Sequence, residues 1–167
     1  MIQVGEKIPA ATLMEYSEVE GNGCSIGPNP VDVQKASAGK TIAVFALPGA
    51  FTPTCSAKHV PGYVQHASDF KAAGVDEIWC LSVNDAFVMG AWGKDQNVGD
   101  KVMMLADGVG DYTAKLGLEL DLSARGLGKR ATRFAMVVDN GKVSHLAVEE
   151  NPGEMSVSGA EAVLGNL

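Results

Sequence analysis

A chain of 167 residues with 46% hydrophobic and 20% charged side chains has the length and make-up of one globular domain with a substantial core. A net charge of -7 argues against nucleic acid or an anionic membrane surface as a partner, and no apolar run is long enough to span a bilayer. His59, His66 and His145 lack zinc-ligand spacing, and no basic-then-apolar leader opens the chain, so the cytoplasm is the expected address.

In chain order, the Gly-, Asn- and Pro-rich stretch at residues 21–30 predicts a surface loop between two short strands. Residues 41–47 (TIAVFAL) are continuously apolar and rich in β-branched types, the pattern of a strand buried on both faces. Pro48 and Gly49 end it. A helix is expected over residues 54–73, with Pro61 as a kink. Residues 76–83 (DEIWCLSV) predict a second buried strand. Asn84 or Asp85 would cap the helix that runs on to about Lys94. Residues 102–105 predict a short strand closed by Asp107-Gly108, and residues 111–116 a helix. Residues 134–138 and 142–148 predict two strands joined by the turn Asp139-Asn140-Gly141. Ser158 is placed to cap a last helix ending near Leu164. This order predicts an α/β protein with a central mixed sheet flanked by helices. The thioredoxin-like layout with extra N-terminal strands fits it, as a single domain over residues 1–167.

The chemistry concentrates at residues 48–55, Pro48-Gly49-Ala50-Phe51-Thr52-Pro53-Thr54-Cys55, where a buried strand gives way to a helix. The carboxyl ends of parallel strands are where α/β folds place their sites. Cys55 falls in the first helical turn, where free N–H groups and the helix dipole favour an anion. The thiolate is the nucleophile, and an ordinary thiol with pKa ~8.5 is only a few per cent ionised at pH 7. Lowering such a pKa to about 6 takes ~3.4 kcal/mol of preferential anion stabilisation. A helix N-terminus contributes about 0.5–2 kcal/mol; a nearby cation and hydrogen bonds must supply the rest. The other cysteines are Cys24 and Cys80. Lys58, three after Cys55, means there is no C-x-x-C, which excludes the usual dithiol oxidoreductase and weakens a glutaredoxin-like transferase.

Pro48-x-x-x-Thr52-x-x-Cys55 matches the peroxiredoxin active-site signature, and PGAFTPTCSAKHVPG (residues 48–62) resembles the atypical subfamily that includes plant type II enzymes. The resemblance extends through LSVNDAFVMGAWGKDQ (81–96), MLADGVGDYTAKLGLELDL (104–122) and RFAMVVDNGKV (133–143). It implies that Cys55 is the peroxidatic cysteine, which attacks a peroxide oxygen and becomes a sulfenic acid. Thr52 matches the threonine that hydrogen-bonds thiolate or peroxide, and Pro48 the proline that shields the cysteine. Arg133 matches the arginine that holds the thiolate and stabilises charge on the leaving oxygen. Arg133 is chosen over Arg130 and Lys129 because it directly precedes a buried strand. No metal or organic cofactor is then required.

Taken alone, Cys55 also reads as a small core residue, Thr52 is more often a loop or capping residue and Arg133 more often a surface charge; with all three in place the catalytic reading of Cys55 stands well above the packing one. His59, four after Cys55, shares its helix face, where modulating the thiolate and simple packing are both open. Cys80 reads as a buried core thiol, although plant relatives raise it as a resolving partner. Cys24 has three readings: resolving thiol, modification site, or neither. Residues 154–158 (EMSVS) hold no cysteine where other members of the wider subfamily carry a resolving one, which argues against an intramolecular disulfide of that type. The resulting expectation is a peroxidase for hydrogen peroxide and alkyl hydroperoxides. An external thiol, either glutathione with glutaredoxin or thioredoxin, would recycle it, and it would act as a homodimer packed near the active-site loops. A redox-sensing or chaperone-like protein that uses Cys55 as a signal is the competing reading.

Overall fold

The computed structural model describes residues 1–18 and 26–167. Its first two strands, β1 (Thr12–Ser17) and β2 (Gly27–Asp32), pair antiparallel. Residues 27–30 of the expected loop at residues 21–30 are therefore strand. Pro28 and Pro30 lie two apart, opposite Tyr16 and Met14, on a strand at the sheet edge. Their missing N–H groups face the unpaired side, so the ladder survives. Asp32 then caps α1 (Val33–Ser37), accepting from Gln34 N and Lys35 N. Cys24 lies outside the described residues.

The apolar runs form the centre as expected. β3 (Thr41–Ala46), β4 (Glu77–Ser82) and β5 (Met103–Ala106) are parallel neighbours. β8 (Phe134–Asp139) runs antiparallel beside β3, and β9 (Lys142–Val148) beside β8. Asn140 (φ 47°) and Gly141 (φ 81°) both adopt the left-handed conformation that a tight hairpin turn requires. The sheet order is β2-β1-β5-β4-β3-β8-β9, a mixed sheet with its parallel strands in the middle.

Helices cover both faces. The expected 54–73 helix begins at Pro53 but divides into three. A wide π turn spans Cys55–His59, followed by α2 (Val60–Gln65) and α3 (Ala67–Ala72), with a break at His66. Pro61 has no N–H to offer the Ala57 carbonyl, and the turn widens just ahead of it, with Val60 N–H reaching Cys55 O. Asp85, not Asn84, caps α4 (Ala86–Asp95) by accepting from Val88 N. α5 (Asp111–Leu116) follows β5, and buried Asp107 accepts from Tyr112 N, Thr113 N and Thr113 Oγ1 at its start. One core packs Phe45, Tyr63, Phe70, Met89, Trp92 and Val163 on one face; Leu13, Val33, Leu81, Leu105, Leu116 and Phe134 fill the other.

In the C-terminal half one expectation fails and one element goes unannounced. The last helix, α6 (Ala160–Leu164), has Gly159 at its N-cap rather than Ser158. The Ser158 carbonyl is instead occupied by two side chains of the α2 region, Tyr63 and His59. Residues 119–131 contain a second small sheet that no periodicity announced: β6 (Glu119–Asp121) and β7 (Lys129–Ala131), antiparallel and three residues each. The segment between them carries a single 3-10 turn, Ser123–Arg125.

Candidate active site

The parallel strands end on one side of the molecule, and the loop after β3 there is shaped before any ligand binds. Ala50 N donates to Asn84 Oδ1, which also accepts from Ser82 Oγ. Asn84 therefore braces this loop instead of capping α4. Thr52 Oγ1 donates to the Gly49 carbonyl at 2.6 Å. A Cβ at Gly49 would crowd Arg130 Nη1 at 3.1 Å, so a larger residue there would push that guanidinium aside. Phe51 sits at φ 62°, an uncommon conformation for a side chain of its size. It is half exposed and tilted against Trp92.

Cys55 follows in the first helical turn and is fully buried. Its sulfur accepts a hydrogen bond from Arg133 Nη2 at 3.1 Å. Arg133, immediately before β8, is itself only 2% exposed, so this is a dry, charge-assisted contact. The other guanidinium nitrogens are committed as well. Nε donates to Pro152 O at 2.9 Å, and Nη1 donates to His59 Nδ1 at 2.7 Å. Arg130 is placed elsewhere: it donates to Leu127 O and Val83 O and approaches Pro48 O behind the loop.

His59 is the residue whose part the sequence left open. Its Nε2 lies 3.0 Å from the Ser158 carbonyl, which can only accept, so that nitrogen carries the proton and Nδ1 is left as the acceptor for Arg133. Burial, reinforced by the Arg133 charge and opposed by the Ser158 carbonyl, holds its pKa down at about 3. A neutral imidazole thus orients the cation without competing with it. Tyr63, stacked on Phe45 with centroids 4.0 Å apart, donates to the same Ser158 carbonyl.

The segment that supplies these carbonyls is held by one buried carboxylate. Glu149 accepts from Ser156 N and Val157 N, each at 2.6 Å, and from Ser156 Oγ at 3.0 Å. Glu149 N donates to the backbone carbonyl of Arg133. The strap from residue 150 to residue 158, with Pro152 O and Ser158 O on it, is therefore tied at both ends to the arginine's surroundings. Glu149 carried no sequence signal, since an acidic pair followed by Asn-Pro reads as an exposed turn.

Cys80 lies mid-strand in β4 and is fully buried in the same core as Cys55. Burial, and then the charge of Cys55, push its thiol pKa well up, with Arg133 opposing, so it stays protonated. Outward from Arg133 a pocket of about 250 Å³ opens, lined by Pro48, Thr52, Pro53 and Thr54 on one side and by Leu120, Leu122 and Leu127 of the small-sheet region on the other. The structure thus gathers all four sequence-predicted residues, Pro48, Thr52, Cys55 and Arg133, at one place.

A buried thiol on a helix start, bonded to a buried arginine at the carboxyl edge of a mixed sheet, places the chain among thioredoxin-like thiol proteins. The family model for Redoxin matches residues 3–164. Peroxiredoxin-2D of Arabidopsis thaliana is 48% identical over 166 residues, covering 99% of this chain and 98% of that protein. Reduced Prx3 of Vibrio vulnificus, solved in complex with hydrogen peroxide, superposes with a TM-score of 0.90 at 46% identity and covers 99% of each chain. A Burkholderia cenocepacia structure described provisionally as a thioredoxin reductase is 57% identical with a TM-score of 0.98, covering 100% of this chain and 98% of that one. The chain belongs to the peroxiredoxins, and its activity is that of a thiol-dependent peroxidase.

Proposed function

We propose that Cys55 is the attacking thiolate and that an external thiol regenerates it. The 3.1 Å bond from buried Arg133 to the Cys55 sulfur carries this reading. The thiolate attacks the terminal oxygen of a hydroperoxide and the O–O bond breaks. Cys55 is left as a sulfenic acid, and the departing alkoxide or hydroxide takes a proton from water. Arg133 is placed to stabilise charge as it leaves the sulfur and builds on that oxygen. The Thr52 hydroxyl proton is committed to Gly49 O, so its lone pairs are free to accept from the peroxide O–H. Pro48 walls the pocket beside it.

One thiol then attacks the sulfenic sulfur, giving a mixed disulfide and water, and a second thiol displaces it and restores Cys55. The protonated, buried state of Cys80 and the presence of Val157 rather than a cysteine on the strap support an external reductant, glutathione with glutaredoxin or thioredoxin. The electrons balance between thiol and peroxide with no metal or organic cofactor. The substrates proposed are hydrogen peroxide and alkyl hydroperoxides. Exposed Phe51, Val109 and Leu127 on loops, and Phe87 in the first turn of α4, lie at the site's side of the sheet and support homodimer formation there. No helix among the described residues is long and apolar enough to cross a membrane; a cytoplasmic enzyme of one domain over residues 1–167 is the corresponding reading.

Steady-state peroxide consumption with glutathione and glutaredoxin tests the proposal. The wild type is expected to turn over many equivalents, and Cys55→Ser none. A protein that consumes one equivalent and stops would be a sensor, and substantial turnover by Cys55→Ser would place the chemistry elsewhere.

A further inference from the structure

The pocket outside Arg133 is larger than hydrogen peroxide requires. Two oxygens fill roughly twice the ~30 Å³ share of a water molecule, whereas the pocket measures about 250 Å³. The remaining wall is apolar: Pro53, Leu120, Leu122 and Leu127. At its rim stands Arg125, the last residue of the 3-10 turn, exposed to solvent.

Arg125 differs from the two other arginines near the site. Arg130 and Arg133 spend their guanidinium groups on carbonyls, an imidazole and the thiol. The Arg125 guanidinium has no hydrogen-bond or ion-pair partner among the described residues. No acidic side chain lines the pocket to neutralise it. Asp121, between Leu120 and Leu122, alternates to the opposite side of its strand and accepts from Ser123 N. Glu119 is paired with Lys129. In a chain with 20 acidic and 13 basic residues, an uncommitted cation at the mouth of an apolar pocket marks where an anion is wanted.

We propose that Arg125 forms a carboxylate-binding subsite at the pocket rim, selecting a small molecule whose carboxylate is joined to its reacting head by a short apolar stretch. The head reaches Thr52 and Arg133, the apolar stretch lies along Leu120, Leu122 and Leu127, and the carboxylate meets the Arg125 fork. Two reactants offer that chemistry: a hydroperoxide bearing an acid group, and a thiol reductant bearing one. The inference rests on the peroxidase reading, because the pocket must be the mouth of the Cys55 site.

The test compares each acid with its methyl ester, in two half-reactions, in wild type and Arg125→Gln. In the first, a carboxyalkyl hydroperoxide and its ester oxidise Cys55 in a single turnover. In the second, 3-mercaptopropionate and its ester reduce preformed Cys55 sulfenic acid. Intrinsic reactivity cancels because the same pair is used on both proteins. The wild-type acid-to-ester rate ratio is expected to exceed that of Arg125→Gln by roughly threefold to tenfold in one half-reaction. That half-reaction identifies the carboxylate's source. Arg125→Lys should keep most of the ratio, which a purely steric role would not, and raising salt should shrink it in the wild type. Identical ratios in wild type and Arg125→Gln in both halves, or a wild-type ratio indifferent to salt, would overturn the subsite while leaving the peroxidase standing. Failure of wild-type Cys55 to react with either hydroperoxide would instead remove the peroxidase reading itself.

Discussion

Arg133 makes three directed bonds, to sulfur, imidazole and carbonyl, and each depends on its planar fork. Arg133→Gln removes a charge-assisted bond of ~1.5–3 kcal/mol and should slow the second-order reaction with peroxide by about tenfold to a hundredfold. Stopped-flow oxidation of Cys55 measures this; an unchanged rate would pass the role to another cation. His59→Leu keeps bulk but deletes the acceptor for Nη1. It should slow the same step less, about threefold to tenfold, by freeing the guanidinium to rotate. The imidazole also leaves a signature in stability. Folding lowers its pKa from 6.5 to about 3, so the unfolded chain binds the extra proton between those values. Its contribution is whole above pH 6.5 and is lost as pH falls toward 3, on the order of 4 kcal/mol. Denaturant titrations should show that acid slope in the wild type and a flatter one in His59→Leu. Parallel slopes would contradict the buried neutral state.

Elements position these side chains by different means, and their legibility in the sequence differs accordingly. β3, β4, β8 and β9 were readable because buried strands are written as apolar runs and a hairpin turn as Asp-Asn-Gly. β6 and β7 were not, because three residues are too few for alternation to register. The π turn was half readable: Pro61 signalled a distortion, but its form depends on how Val60 N–H reaches Cys55 O. Pro48, Thr52, Cys55 and Arg133 were legible as a spacing and a neighbouring strand. His59 and Glu149 were not, since their parts depend on carbonyls and amides about 100 and 7 residues away. The strap from 150 to 158 gives a prediction at this scale. Glu149→Ala leaves the Ser156 and Val157 amides unpaired, so hydrogen exchange should rise across residues 150–158 and Cys55 oxidation should slow about tenfold. Faster exchange with an unchanged oxidation rate would reduce Glu149 to a purely structural clamp.

Across the whole molecule, the two thiols of the shared core have opposite surroundings. Cys55 faces a cation at the edge of the sheet, while Cys80 is buried one strand inward and held protonated. A Cys55–Cys80 disulfide needs Cα atoms about 4.4–6.8 Å apart, and forming it would require Cys80 to lose a proton in the core. Cys24→Ser/Cys80→Ser is therefore expected to keep most of the turnover supported by glutathione and glutaredoxin. The most direct measurement oxidises the wild type with one equivalent of peroxide, adds glutathione, and maps all three cysteines by mass spectrometry. The predicted result is a sulfenic acid on Cys55 that converts to a glutathione adduct there, with Cys24 and Cys80 left as free thiols. A dominant Cys55–Cys80 or Cys55–Cys24 disulfide, or oxidation that bypasses Cys55, would contradict the account.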